Sequence, residues 1–335
     1  MVDLELEDDD YISIPSPLLS SGLAPALSEK VELEIPFSCA GLRLDQALAA
    51  LLPQQSRSRL TALIREGAVL VEGAAAIAKR KVIGGEKVLV TLRARDEDLA
   101  FGPEEMALDV VFEDAAVMVI NKPPGLVVHP AAGNWSGTLL NGLLYRAPQL
   151  ARIPRAGIVH RLDKDTSGLM MVAMTDIAQV ELVRQLQARS VKREYVALVQ
   201  GRVSSDGSVD APIGRHARVR TKMAVVGNGK SALTHYRVLE RFALHTLLEC
   251  RLETGRTHQI RVHMQSIKHP LEGDAVYGGK PVTDGDLRDA IAHFNRQALH
   301  AQKLAFVHPL THKTLNFEAP LPADMQALID AVRAA

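Results

Sequence analysis

The chain has 335 residues, 47% of them hydrophobic and 4% aromatic, and two isolated cysteines, Cys39 and Cys250, a composition that argues against a disulfide framework, a zinc ribbon or an extended base-stacking platform. It has neither a signal core nor an apolar run of membrane-spanning length, so a cytoplasmic protein of two domains is expected. The zero net charge is a cancellation: residues 1–30 hold seven acids and one base, and the remainder holds 38 bases against 32 acids, which leaves a modestly basic body open to an anionic partner.

In chain order, residues 1–30 combine an acidic run with Pro15, Ser16, Pro17, Ser20, Ser21 and Pro25 and are expected to form a disordered arm. The arm is either a solvated tail or a screen over a basic groove. Residues 31–95 read as a small module. Val31 to Ile35 alternates as a strand does. Leu42, Leu44, Ala47, Leu48 and Leu51 recur at helical spacing until Pro53. Ser56 can cap a second helix through Arg57, Arg59, Leu60, Leu63, Ile64 and Arg65, ended by Gly67. A hairpin follows, from Val69-Leu70-Val71 through the Glu72-Gly73 turn to Lys79-Arg80-Lys81, the Gly84-Gly85 turn and Val88-Leu89-Val90. Residues 41–90 carry eight bases and four acids. The macrodipole favours acids in a helix's first turn, so Arg57 and Arg59 there point to a phosphate ligand, or else to a solvated face. The module resembles the S4 RNA-binding domain in element order and in its Arg-x-Leu-Asp and Ser-Arg-Ser-Arg segments. Residues 96–105, with Gly102-Pro103, are the expected linker, and 106–335 the second domain.

Leu108 to Glu113 and Val117 to Ile120 read as paired strands leading into Asn121-Lys122-Pro123-Pro124-Gly125, a rigid corner. Gly157-Ile158-Val159-His160-Arg161-Leu162-Asp163-Lys164-Asp165-Thr166-Ser167-Gly168 then begins as a strand and ends in a turn. By itself Asp163 reads as a cap of that turn or of a helix from Leu169 to Ala173. Thr175 to Ala188 is amphipathic and helical, and Glu194-Tyr195-Val196-Ala197-Leu198-Val199 is a strand. Residues 184–230 hold ten bases and three acids. Among them Arg215, His216, Arg218, Arg220 and Lys222 form a donor-rich loop suited to phosphates, or simply solvated. From His258, alternation predicts a strand with His258, Ile260 and Val262 on one face and Gln259, Arg261 and His263 on the other. Arg261 between apolar neighbours calls for a carboxylate or solvent. His160, His258 and His263 do not make a zinc site on this reading, because the strand puts two of them on opposite faces and no further ligand completes a set.

Together, His160-Arg161-Leu162-Asp163 with Thr166-Ser167-Gly168, Arg193-Glu194-Tyr195, and Thr254-Gly255-Arg256-Thr257-His258-Gln259-Ile260-Arg261-Val262-His263 resemble the pseudouridine synthases of the RluA type. Asn121 to Gly125, His269 to Asp274 and Tyr277-Gly278-Gly279 add to the match. Ile153 to His160 and Arg296 to His300 resemble the members of that family acting on large-subunit ribosomal RNA. The resemblance implies an α+β enzyme, an S4 domain followed by a catalytic domain with a long, mostly antiparallel mixed sheet and a central cleft. It implies a monomer that binds large-subunit ribosomal RNA or a pre-ribosomal particle, uses no cofactor or metal, and isomerises uridines of the helix 69 stem-loop. It assigns catalysis to Asp163, with Arg261 as its charge partner and Tyr195 stacked on the target base. Arg161 would fill the gap left by a flipped nucleotide. His160, Arg256 and His258 join Arg57, Arg59, Arg215, Arg218, Arg220 and Lys222 as expected RNA contacts. Another ribosomal or transfer RNA site is the nearer alternative. A non-catalytic ribosome-assembly protein is the farther one, and a null effect of Asp163→Asn on RNA modification would favour it.

Overall fold

A computed structural model describes residues 28–93, 100–131, 133–219, 221–279 and 286–335. The acidic arm through residue 27, the linker residues 96–99 and Arg220 lie outside the described residues. Two compact units are present, one within residues 19–99 and one from Ala100 to Ala335. Among the described residues no helix is long and apolar enough to cross a membrane.

In the first unit, β1 (Ser28–Glu34) enters α1 (Leu44–Leu51) and α2 (Arg57–Arg65), followed by β2 (Val69–Val71), β3 (Ala74–Ala75) and β4 (Lys87–Arg93). The sheet order is β1-β4-β2-β3. The Ser56 hydroxyl accepts from the Arg59 amide and caps α2. Glu72 and Gly73 both take positive φ, the backbone of a two-residue hairpin turn. Leu44, Leu48, Leu60 and Leu63 pack on Val69, Val88 and Val90. One buried carboxylate joins the two helices, because Asp45 accepts from both Arg43 and Arg57.

The second unit is built on a mixed sheet. Its strands are β5 (Val110–Glu113), β6 (Val117–Lys122), β7 (Ser167–Ala173), β8 (Lys192–Gln200), β9 (Gly207–Asp210), β12 (Leu233–Arg241), β13 (His245–Leu252), β14 (Leu299–Val307) and β15 (Thr314–Glu318); β10 (Ile213–Arg215) and β11 (Met223–Val225) form a separate hairpin. The order is β5-β6-β7-β14-β8-β13-β12-β9, with β15 on β14. Every pairing but β7–β14 is antiparallel. β14 is thus a late strand inserted at the centre, between β7 and β8.

Burial on both faces gives β7 an unbroken buried run. Met170 and Val172 face one core, while Leu169, Met171 and Ala173 face the other. β8 divides likewise: Tyr195, Ala197 and Val199 join the first core, and Val196 and Leu198 join another on the far side. Helix α3 (Leu139–Arg146) covers the first face; α4 (Asp176–Gln187) and α7 (Ala323–Ala334) pack on the other. Helix α6 (Asp286–His293) adds Leu287 and Ile291 beside α7.

Two local expectations are corrected. Leu169 to Ala173 is the strand β7 and not a helix, since its alternate residues fill two cores. The run from His258 is a helix, α5 (Gln259–Ser266), and not a strand. All of Gln259 to Met264 are buried. Ile260 and Met264 lie in one core and Val262 in another, while polar networks take Gln259, Arg261 and His263. A short helix buried on all sides leaves no single apolar stripe, and its residues read as an alternating pattern.

Candidate active site

Asp163 stands in the turn before β7, and that turn is fixed from several sides. The buried Lys122 Nζ donates to the carbonyls of Lys164 (2.8 Å), Pro123 (2.8 Å) and Leu126 (2.9 Å). Three acceptors match the three protons of an ammonium. Burial pulls this lysine down to about 7, against the upward pull of Asp165 and Asp163. On the other side, Arg296 Nη1 donates to the Asp165 carbonyl at 3.2 Å, and Gln297 Nε2 to Thr166 Oγ1 at 3.0 Å. Gly168, at φ 117°, is where β7 meets β14 so closely that any Cβ would run into the Ala301 backbone. The apolar entry is extended but makes only an isolated bridge, Ile158 to Val172.

Arg261 reaches this turn from α5. Its Nη1 donates to Asp163 Oδ2 at 2.9 Å, while Nε and Nη2 donate to Asp274 at 2.7 and 2.9 Å. Burial opposes the guanidinium's charge, but the two carboxylates outweigh it and hold its pKa above the ordinary arginine value. Asp274 is buried too, yet Arg261 and the amides of Val276 and Tyr277 keep its carboxyl below the usual range. The Arg261 guanidinium also lies 5.0 Å from the centre of the Tyr277 ring.

His258 precedes α5 in a left-handed conformation, φ 57°. Its Nδ1 bonds with the Tyr277 hydroxyl at 2.8 Å, which directs Nε2 toward Asp163 Oδ1, 3.9 Å away. Burial lowers its pKa, although Asp163 pulls the other way. Gln259 holds the preceding loop, its Oε1 accepting from Thr254 Oγ1 and the Arg256 amide.

Asp163, Thr254, Arg256, His258, Gln259 and Arg261 line a cleft of about 730 Å³ together with Arg155, Arg161, Arg189, Arg193, Tyr195 and Gly255. Tyr195 projects from β8 and is 5% exposed; burial raises the pKa of its phenol. Arg161 is exposed at the wall, and Arg256 Nε donates to the Ser231 carbonyl. The fold therefore gathers Asp163, Arg161, Tyr195, Arg256, His258 and Arg261 into one cavity from distant parts of the chain. Such a site offers an oriented carboxylate, a flat ring and a cationic rim, the parts needed to hold and react an extruded nucleotide.

Other expected contacts fall elsewhere. His160 borders the cleft but is buried, and its Nε2 accepts from the Met171 amide; burial and Arg193 push it down to about 3. It positions β7, and Nδ1, which carries the ring proton in that tautomer, is buried with no hydrogen-bond partner among the described residues. Lys222 donates to the Val276 carbonyl, so its ammonium is engaged within the fold. Arg215 and Arg218 are exposed on the β10–β11 hairpin and the loop it carries. In the first unit, Asp45 accounts for the place of the exposed Arg57 in the first turn of α2, where Arg59 is half-buried. His263 holds Thr234 Oγ1 and the Ala211 carbonyl with its two ring nitrogens. Asp274, Tyr277 and Lys122 had no role on the sequence reading. The demand of Arg261 for a carboxylate was the available signal, and it fits Asp274 as well as Asp163.

Both units resemble known proteins. The family described as RNA pseudouridylate synthase matches residues 116–266, and the S4 domain matches residues 42–86. A Nitrosomonas europaea protein named ribosomal large subunit pseudouridine synthase D is 58% identical over 303 residues, 90% of this chain and 88% of the relative. The Escherichia coli O6:H1 protein of the same name is 52% identical over 315 residues, 92% of this chain and 96% of the relative. Among solved structures, human RNA pseudouridylate synthase domain containing 4 aligns with a TM-score of 0.54 at 25% identity, covering 67% of this chain and 93% of that one.

Proposed function

Since the chain belongs to the RNA pseudouridylate synthase family, we propose that it isomerises uridines in the RNA of the large ribosomal subunit, within the helix 69 stem-loop. The relatives' names support the ribosomal RNA, and the S4 domain supports RNA as the partner. The protein works as a cytoplasmic monomer on that RNA or on a pre-ribosomal particle.

The reaction breaks the N1–C1′ bond of uridine, turns the uracil and joins C5 to C1′. One proton leaves C5 and one is gained at N1, so no redox step or outside reactant is needed. Asp163 acts at C1′, either by bonding to it or by assisting elimination. Both routes need an ionised carboxylate of fixed aim, and the observation that carries this reading is the 2.9 Å bond from Arg261 Nη1 to Asp163 Oδ2 in the floor of the cleft. Tyr195 supplies a rigid ring for the extruded uracil to stack on. Arg161, on the cleft wall, takes the place of the flipped nucleotide. Extrusion costs roughly a few kcal/mol and least in a loop, which favours a stem-loop target. Arg215 and Arg218 steer the RNA by its phosphates.

Carbodiimide primer-extension mapping of ribosomal RNA from cells lacking this protein tests the reading. Pseudouridine stops in helix 69 vanish if it is correct. Retention of every large-subunit stop would overturn it.

A further inference from the structure

Arg193 does not enter the reaction as described above, yet it is an unusual side chain. It lies on β8 two residues before Tyr195, on the same face, and borders the same cleft. Only 8% of it is exposed, and its Nε is buried without a hydrogen-bond partner. Among the described residues, the ionisable groups that bear on it are Tyr195 and His160, neither of them a carboxylate. Both carboxylates deep in the site are engaged by Arg261. A buried guanidinium without a counter-charge is costly to a fold, so a site that keeps one implies an anion that comes from outside.

The opposite wall is shaped for this group. A Cβ on Gly255 would lie 2.7 Å from Arg193 Nη1. The loop before α5 therefore passes over the guanidinium at the one position of Thr254-Gly255-Arg256 that lacks a side chain. An arginine packed under a glycine backbone, with its remaining edge on a cavity, is a rigid donor with its geometry set in advance.

We propose that Arg193 binds a phosphodiester group flanking the target uridine, so that base and backbone are held by two residues of one strand. This rests on the reading of the protein as a pseudouridine synthase. The phosphodiester is the anionic group that RNA offers, whereas the uracil carbonyls are neutral and would leave the buried charge uncompensated. Strand geometry sets Arg193 about 6 to 7 Å from Tyr195 along β8, a span comparable to that from a base to the phosphate of its own nucleotide. The clamp fixes the sugar between them, and it is the sugar's C1′ that must meet Asp163.

The test uses a stem-loop RNA containing the modified uridine, with one linkage at a time, 5′ or 3′ of that uridine, replaced by a neutral methylphosphonate. For the wild-type protein one of the two replacements lowers kcat/KM by about 10- to 100-fold, the range for a lost hydrogen bond between charged groups. Arg193→Met raises KM on native RNA by a similar factor, and the sensitive replacement then costs it less than about twofold more. Arg193→Lys keeps the charge and retains part of the sensitivity. Arg193→Met also melts no lower than the wild type, because no protein group loses a partner. A wild type that turns over native RNA but ignores both neutral linkages sinks the clamp alone, as do additive losses or a lower melting temperature in Arg193→Met. A wild type that forms no pseudouridine in native large-subunit RNA sinks the underlying function instead.

Discussion

Asp274 grips Arg261 through two parallel hydrogen bonds, to Nε at 2.7 Å and to Nη2 at 2.9 Å. This two-point pair fixes the plane of the guanidinium, so that Nη1 alone is presented to Asp163. Asp274→Asn keeps the shape but weakens that hold. We expect kcat to fall roughly 10- to 100-fold, as for loss of a supporting partner of a reactive group, with KM for RNA changing less than threefold. Single-turnover kinetics separate the two, and an unchanged kcat would show that Arg261 needs no such support.

Asp163→Asn removes the carboxylate proposed to react while leaving volume and hydrogen-bonding capacity nearly intact. Binding of the stem-loop RNA, measured by filter retention, stays within a few-fold of wild type. Pseudouridine formation is lost. Turnover near the wild-type rate would remove Asp163 from the chemistry.

Lys122 joins the Asp163–Thr166 turn to the Pro123–Leu126 corner through three carbonyls. Lys122→Met leaves those carbonyls without a donor. It should destabilise the fold by about 1–3 kcal/mol, the penalty for buried groups left unsatisfied, and lower kcat more than RNA affinity. Urea denaturation and the kinetic assay read the two effects. A stable variant with normal kcat would mean that the turn holds without its lysine.

Acid should act on the buried His160 and the half-buried His129, each held neutral down to about 3, against 6.5 for an unhindered ring. Between those values the unfolded chain binds more protons. Stability is therefore complete above pH 6.5 and declines as pH falls toward 3. For one ring the full loss is on the order of 4 to 5 kcal/mol. His160→Gln, which can still accept from the Met171 amide, should flatten the fall of the urea midpoint between pH 6.5 and 4. Parallel curves for the two proteins would exclude His160 as a source of that slope.

The first unit can be tested through salt. Arg57 and Arg59 replaced together by Ala should weaken RNA binding and reduce the dependence of log K on log salt by about 1 to 2. The ion pair to Asp45 places Arg57 at the lower end of that effect. An unaltered slope would mean that α2 does not meet phosphate.

How far the sequence could be read depended on the range of the forces involved. The first unit was legible almost throughout, because Ser56, Pro53 and Gly67 act on their own neighbours through caps and dihedrals. β8 was legible because its alternating residues serve two cores. The helix α5 was misread as a strand, since burial on every side erased the stripe that marks a helix. The pairing of Asp163 with Arg261 could be anticipated as a need for opposite charge. That Asp274 shares the same guanidinium could not, because two carboxylates were equally eligible and only the folded chain brings both within reach. Lys122 read only as part of a rigid corner beside two prolines; what its ammonium meets includes the Lys164 carbonyl, 42 residues along the chain.

The insertion of β14 between β7 and β8 bears on when the protein becomes active. The Asp163 turn leads into one of these strands and Tyr195 belongs to the other, and Ala301 of β14 faces both Gly168 and Tyr195 across the two ladders. During synthesis β14 emerges after every residue of the site has been made. Until it arrives, the two halves of the cleft have no common sheet. A chain that has not yet made β14 thus holds the Asp163 turn and Tyr195 on separate sheets.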